Sequence, residues 1–140
     1  MTTLEAVAIE RILSPGQQAA GRQAEDLTAQ EIARVMVAIQ RMRREQIDEI
    51  RKIQTDVAEA VKIATIVRAQ EFMTADGPQQ QRDQASRLAA AESVFHAETL
   101  KAELDAAKES LRLLKDDWDT CRSIGATQRA ERNAVEGYGS

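Results

Sequence analysis

Few side chains in this 140-residue chain have the chemistry for a reaction, and the first to consider are its one histidine and one cysteine. His96 stands alone, so the sequence has no His-Cys or two-His spacing for a metal site. Cys121 follows Trp118 by three residues on one apolar stripe, where a thiol acts as a small apolar filler. A nucleophilic thiol would need a basic neighbour such as histidine. We therefore expect His96 on a helix surface and Cys121 in the core.

Two charged clusters remain as candidate binding sites. Asp116, Asp117 and Asp119 flank Trp118, but they lack the glycine turn and the ligand spacing of a calcium loop, so they predict a solvated acidic face. The densest basic stretch contains Arg41, Arg43, Arg44, Arg51 and Lys52. Acidic residues lie among them at helix-pairing distances, which favours ion pairs over phosphate binding. With no glycine-rich phosphate loop either, we expect no enzyme activity, no cofactor and no metal.

Composition narrows the class of protein further. Apolar residues make up 43% of the chain and aromatic residues only 3%, which is typical of helix seams rather than of β-sandwich cores. A net charge of -4 with mixed signs makes nucleic acid an unexpected partner. The single cysteine and the lack of a signal peptide or an 18-residue apolar run predict a soluble protein, made in the cytoplasm and not bound to membranes.

The elements that must position these residues begin with a short amphipathic helix. Leu4, Val7 and Ile12 recur at helical spacing after a Thr2 to Glu5 capping box. Ser14-Pro15-Gly16 ends this helix, because proline pushes the residue before it out of the helical region. Residues 1–27 are thus expected to be a short helix plus a link.

The next segment predicts a long helix over residues 29–73. Thr28 and Glu31 have the spacing of a second capping box, and no glycine or proline follows until Gly77-Pro78. A repeat of apolar residues with spacings of four and three runs along the segment, as in coiled coils. About 45 residues of helix would be roughly 67 Å long.

After the Gly77-Pro78 turn, the sequence predicts a second helix over residues 80–124. Leu100, Leu104, Ala107, Leu111 and Leu114 continue to Trp118 and Cys121 in an unbroken series of four and three. Leu88, Val94 and Phe95 do not keep this register, which predicts a stutter or a change of partner near residues 96–99. Gly125 is expected to end the helix, leaving residues 125–140 as a loosely structured tail.

These elements predict an all-α protein, a long antiparallel two-helix hairpin of coiled-coil type over residues 28–124. The residues expected to form the hairpin seam are Ile32, Met36, Ile39, Ile50, Ile53, Val57, Val67, Leu100, Leu104, Leu111, Leu114 and Trp118.

The first long helix has more apolar residues than one seam uses. The extra residues widen its apolar stripe at both ends, which indicates contacts with further helices or further chains. The candidate contact residues are Leu4, Val7, Ile12, Val35, Met42, Val61, Ile63 and Ile66. We expect protein partners, either a homo-oligomer or a subunit position in a larger assembly, over a self-contained three-helix bundle.

The leading functional hypothesis is a non-enzymatic structural or assembly subunit, for example a portal-associated, internal or tail component of a phage virion. In shape and length, the hairpin resembles the coiled-coil stalk proteins of flagellar and type III secretion export ATPases. That resemblance rests on architecture alone and leaves the segment before Pro15 without a role. A helical chaperone or adaptor, which would hold a partner helix with Met36, Met42 and Met73, is a further alternative.

Overall fold

The computed structural model describes residues 28–138, which form two long α-helices packed against each other. Helix α1 spans Ala29–Thr74 and helix α2 spans Gln79–Tyr138, and no strand occurs within residues 28–138. The predicted all-α hairpin is confirmed, and the predicted bounds of α1 are one residue from those observed. The expected N-terminal helix and link over residues 1–27 lie outside the described residues.

Helix α1 begins with the capping box that the sequence predicts. The Glu31 amide donates to Thr28 Oγ1 at 3.1 Å, and Thr28 Oγ1 donates to the Glu31 carboxylate at 3.1 Å. These bonds satisfy a backbone donor that the first helical turn leaves without a partner. The acidic side chain also lies at the positive end of the helix dipole.

The turn between the helices depends on Gly77. Its φ of 104° is the only positive φ among the described residues, and a Cβ at this position would collide with the Gln81 side chain. Arg82 fastens the turn from α2, because its Nε donates to the Phe72 carbonyl oxygen at 2.9 Å and its guanidinium lies 4.6 Å from the centre of the Phe72 ring. Arg68 and Arg87 both pair with Asp83, at 3.4 and 3.2 Å.

The described residues form two compact units, and the first combines residues 28–45 with residues 110–138. Within it, the start of α1 packs on the later part of α2 around a core of Ile32, Val35, Ala38, Ile39, Leu114 and Cys121. Met36, Met42, Trp118 and Ile124 are partly buried against this core. The predicted seam residues of this unit, Ile32, Met36, Ile39, Leu111, Leu114 and Trp118, are each buried or half-buried.

The second unit, residues 46–109, contains the turn and the helix halves next to it. The predicted seam residues Ile50 and Ile53 are buried, whereas Val57, Val67, Leu100 and Leu104 are half-buried. Beyond Val57 the buried residues become small on both helices, namely Ala60, Ala64, Ser86, Ala90 and Ala97. Gln46 joins the helices by donating from Nε2 to the Ala107 carbonyl oxygen at 3.0 Å.

The predicted stutter near residues 96–99 is wrong. Ser86, Ala90, Ser93 and Ala97 lie at spacings of four, three and four, and each is buried or half-buried. They lead directly into Leu100 and Leu104 in the same register. Small side chains therefore continue the seam, and Leu88 and Phe95 lie outside it.

The second helix also continues past its predicted end. Gly125 lies inside α2, and the helix runs to Tyr138. A glycine ends a helix when it adopts a left-handed conformation, and Gly125 has no positive φ. Without a following proline, the lost side chain costs only about 1 kcal/mol, which the helix tolerates. Most of residues 126–137 are exposed, so this part of the expected tail is an exposed helical extension.

Candidate functional site

Cys121 is fully buried in the core of the first unit. Burial raises the pKa of its thiol to about 11, and the nearby Asp117 charge adds to the increase. The side chain therefore stays protonated at neutral pH, as an apolar filler would. This placement agrees with the role that its position on the Trp118 stripe predicts.

The other candidate reactive groups are spread along the two helices. His96 is exposed and lies at a shallow cleft lined by Ala60, Ile63, Glu92 and Ser93. Asp116 pairs with Arg112 at 3.0 Å, and burial together with the Asp116 charge raises the pKa of Asp117. Within residues 28–138, no three His, Cys, Asp or Glu side chains are grouped to hold a metal ion.

The basic stretch does not form the ion pairs that the sequence predicts. The ion pairs among the described residues lie elsewhere, and Arg41, Arg44, Arg51 and Lys52 are exposed without one. The acidic neighbours are exposed as well. An ion pair between two exposed side chains gains little free energy. Arg43 is half-buried, and its Nε has no hydrogen-bond partner.

The candidate partner contacts divide into three groups. Val35 is completely buried in the core, and Met42 is half-buried against the same core. Their contact with a partner chain stays a prediction. Val61, Ile63 and Ile66 are exposed on α1 in the second unit. Leu4, Val7 and Ile12 lie outside the described residues.

A further exposed apolar surface of the second unit lies on α2 and was not among the predicted contacts. Leu88 and Phe95 are 80% and 74% exposed, and their spacing of seven residues places them two turns apart on one side of the helix. Ala91 and Ala102 are exposed beside them. We call these four residues the Leu88 face.

The Leu88 face is a consequence of the small residues in the seam. Ala60 and Ala64 on α1 are buried, as are Ala90 and Ala97 on α2. Small side chains on both helices leave no space for a leucine or a phenylalanine between them. The large apolar side chains of this part of α2 therefore point outward.

An opposing charge pattern marks the outer side of α1 in the same unit. Ile47, Arg51, Ala58 and Lys62 are exposed and lie on one side of the helix, which we call the Arg51 face. On α2, Glu92 and Glu103 are exposed at the border of the Leu88 face. None of these four charged side chains forms an ion pair within residues 28–138.

Comparisons of this chain with protein-family models, curated proteins and solved structures found no match. Neither described helix has a stretch of the length and hydropathy needed to cross a membrane.

Proposed function

We propose that this protein is a non-enzymatic structural subunit that assembles with further copies of itself through the outer faces of its helical hairpin. The observation that carries this proposal is the exposure of Leu88 and Phe95, two large apolar side chains on one side of α2. Water contact with such a surface is unfavourable, and burying each side chain on another chain would gain about 2 kcal/mol. Apolar surface of this kind marks sites of protein association.

A second copy supplies a surface of matching chemistry. The Arg51 face presents an isoleucine and an alanine beside two cationic side chains, and the Leu88 face is bordered by two carboxylates. Side-by-side packing of one copy's Leu88 face on the next copy's Arg51 face buries apolar surface and brings opposite charges together. Because the two faces differ, the first copy still has a free Arg51 face and the second copy still has a free Leu88 face. Each free face can bind a further copy.

This repeating contact supports a role in a large assembly. A subunit that uses one surface to bind the next copy and another to be bound builds rings or filaments. A virion is one setting for such a subunit, and the hairpin would act there through packing and not through a reaction.

The proposal is tested by size-exclusion chromatography with light scattering over a wide concentration range. We expect the native chain to have a mass well above the 15.5 kDa of one copy. The Leu88→Gln/Phe95→Gln variant should lose most of this association, because its α2 no longer offers an apolar face. The matched control is Leu113→Gln/Val135→Gln, which changes two exposed apolar residues of the first unit and should keep the native mass.

Two results would overturn the proposal. One is a native chain that stays at 15.5 kDa at every concentration. The other is an assembly whose mass the Leu88→Gln/Phe95→Gln substitutions leave unchanged. Circular dichroism of each variant verifies that the two helices are retained.

A further inference from the structure

The first unit has an open groove between the start of α1 and the later part of α2. Its volume is about 580 Å³, which is within the range of sites that bind a ligand or a peptide side chain. Helix α1 contributes small and apolar side chains to it, and α2 contributes a row of cationic ones. The residues that define this surface, which we call the arginine groove, are Ala29, Ala33, Met36, Arg122, Arg129 and Arg132.

The three arginines give the groove a positive charge that no ion pair within residues 28–138 neutralises. They lie within about 80° of one another around α2 and span about 15 Å along it. All three side chains are exposed. Asp119 also lines the groove, so its lining has three cationic side chains and one carboxylate. The charge of the groove therefore favours an anionic occupant.

Gly125 lines the same groove at a position where the fold does not need a glycine. Its φ is not positive, and a Cβ there would meet only Arg129 Nη1 at an ordinary 3.5 Å. A glycine inside a helix costs about 1 kcal/mol relative to alanine. The missing side chain would be useful to a partner that approaches the backbone of α2 closely.

We propose that the arginine groove binds an acidic, amphipathic segment of a partner protein. Carboxylates of the segment pair with Arg122, Arg129 and Arg132, and its apolar side chains pack on Met36 and the alanines of α1. Pairs between a guanidinium and a carboxylate are charge-assisted and often bidentate, so they fix the direction of the segment. The 15 Å row of arginines corresponds to about ten residues, or three turns, of a bound helix.

The surroundings of the groove favour an acidic peptide over a nucleic acid. Residues 115–138 contain five acidic and four basic side chains, so positive charge is confined to the groove itself. A nucleic acid carries a phosphate at every nucleotide and would meet these carboxylates on either side of the groove. A short peptide places its few carboxylates on the arginines alone.

Fluorescence anisotropy of a labelled model peptide tests this proposal on the full chain. The peptide has about 14 residues, with glutamate on one side of its helix and leucine on the other. We expect it to bind the native chain, and a peptide with glutamine in place of glutamate to bind at least about tenfold more weakly. Arg122→Gln/Arg129→Gln/Arg132→Gln should weaken binding of the acidic peptide by at least about tenfold as well, because it removes the charge and keeps long polar side chains.

Two matched controls separate the groove from general attraction between opposite charges. Lys101→Gln/Lys108→Gln/Lys115→Gln removes the same number of charges from exposed positions elsewhere on α2 and should leave the affinity unchanged. Gly125→Leu places a large side chain in the groove and keeps the arginines, so it should weaken binding at least about fivefold. Ala134→Leu, at an exposed position outside the groove, should not. Circular dichroism verifies that each variant keeps its helices.

A native chain that does not bind the acidic peptide, or binding that survives the three arginine substitutions, would overturn the proposal. Tighter binding of a single-stranded oligonucleotide, lost in the same variant, would also overturn it, because it would identify nucleic acid as the occupant. A changed assembly mass in that variant would overturn it by identifying a second copy. The arginine groove belongs to the first unit, whereas the Leu88 and Arg51 faces belong to the second, so peptide binding and assembly mass test the two proposals separately.

Discussion

Cys121 is the residue whose ionisation the fold changes most clearly. Burial raises the pKa of its thiol from 9.0 to about 11. The unfolded chain therefore loses this proton near pH 9, whereas the folded chain keeps it until about pH 11. Stability from this group is complete below pH 9 and is lost as pH rises through 11. We expect the urea midpoint to fall between pH 9 and 11, and to fall less in Cys121→Ala; equal pH dependence of the two proteins would contradict this.

Arg43 is one of the two polar residues, with Gln46, that interrupt the apolar series of α1. Its Nε is buried without a hydrogen-bond partner, and such a group lowers stability by about 1–3 kcal/mol. Arg43→Leu should therefore raise the free energy of unfolding by about 1 kcal/mol, measured by urea denaturation. The matched control is the exposed neighbour Arg44, where substitution by leucine should change stability by less than about 0.5 kcal/mol. A less stable Arg43→Leu protein would show that its charged end has a role in packing.

At the scale of elements, adjacent leucines test how α2 packs in the first unit. Leu114 is buried in the core, whereas Leu113 is half exposed. Leu114→Ala should lower the free energy of unfolding by about 2–4 kcal/mol, because it removes buried methyl groups and leaves a cavity. Leu113→Ala should lower it by less than about 1 kcal/mol. Equal effects of the two substitutions, measured by thermal unfolding, would show that α2 is rotated from the described orientation.

Two glycines test where the helices end. Gly77→Ala should destabilise the protein by at least about 1 kcal/mol, because its positive φ is a conformation that residues with a Cβ rarely adopt. Gly125→Ala should stabilise it by up to about 1 kcal/mol, because alanine is the better helix former and its Cβ would meet only Arg129 Nη1 at an ordinary 3.5 Å. Destabilisation by Gly125→Ala would indicate that the helix ends there.

The hairpin could be predicted from the sequence because three signals agree. These are the capping boxes, the Gly77-Pro78 turn and the repeat of large apolar residues. The part that was missed depends on small residues. Ala90 and Ala97 are buried, but Ala89 and Ala91 between them are exposed, so alanine does not indicate which side of a helix is the seam. Leu88 and Phe95 are large apolar residues that do not fit the heptad register, so they suggested that the register is broken. In the structure both side chains are exposed and lie outside the seam.

For the whole molecule, the account makes self-association depend on charge as well as on apolar surface. The Leu88 face is bordered by Glu92 and Glu103, and the Arg51 face carries Arg51 and Lys62. Exposed charges of this kind act over about 8 Å at physiological ionic strength and are screened by added salt. The mass of the assembly, measured by light scattering, should therefore decrease as salt is raised to 1 M. The control variant Leu113→Gln/Val135→Gln should respond to salt as the native chain does. A mass that does not change with salt would contradict an electrostatic contribution to the contact.

The most direct measurement exchanges the charges of the two faces and then mixes the products. Glu92→Lys/Glu103→Lys makes both faces of one copy basic, and Arg51→Glu/Lys62→Glu makes both faces of another acidic. Light scattering should find each variant alone near 15.5 kDa, and their equal mixture should recover the mass of the native assembly. Variants that still assemble alone, or a mixture that stays at 15.5 kDa, would contradict assembly through these two faces.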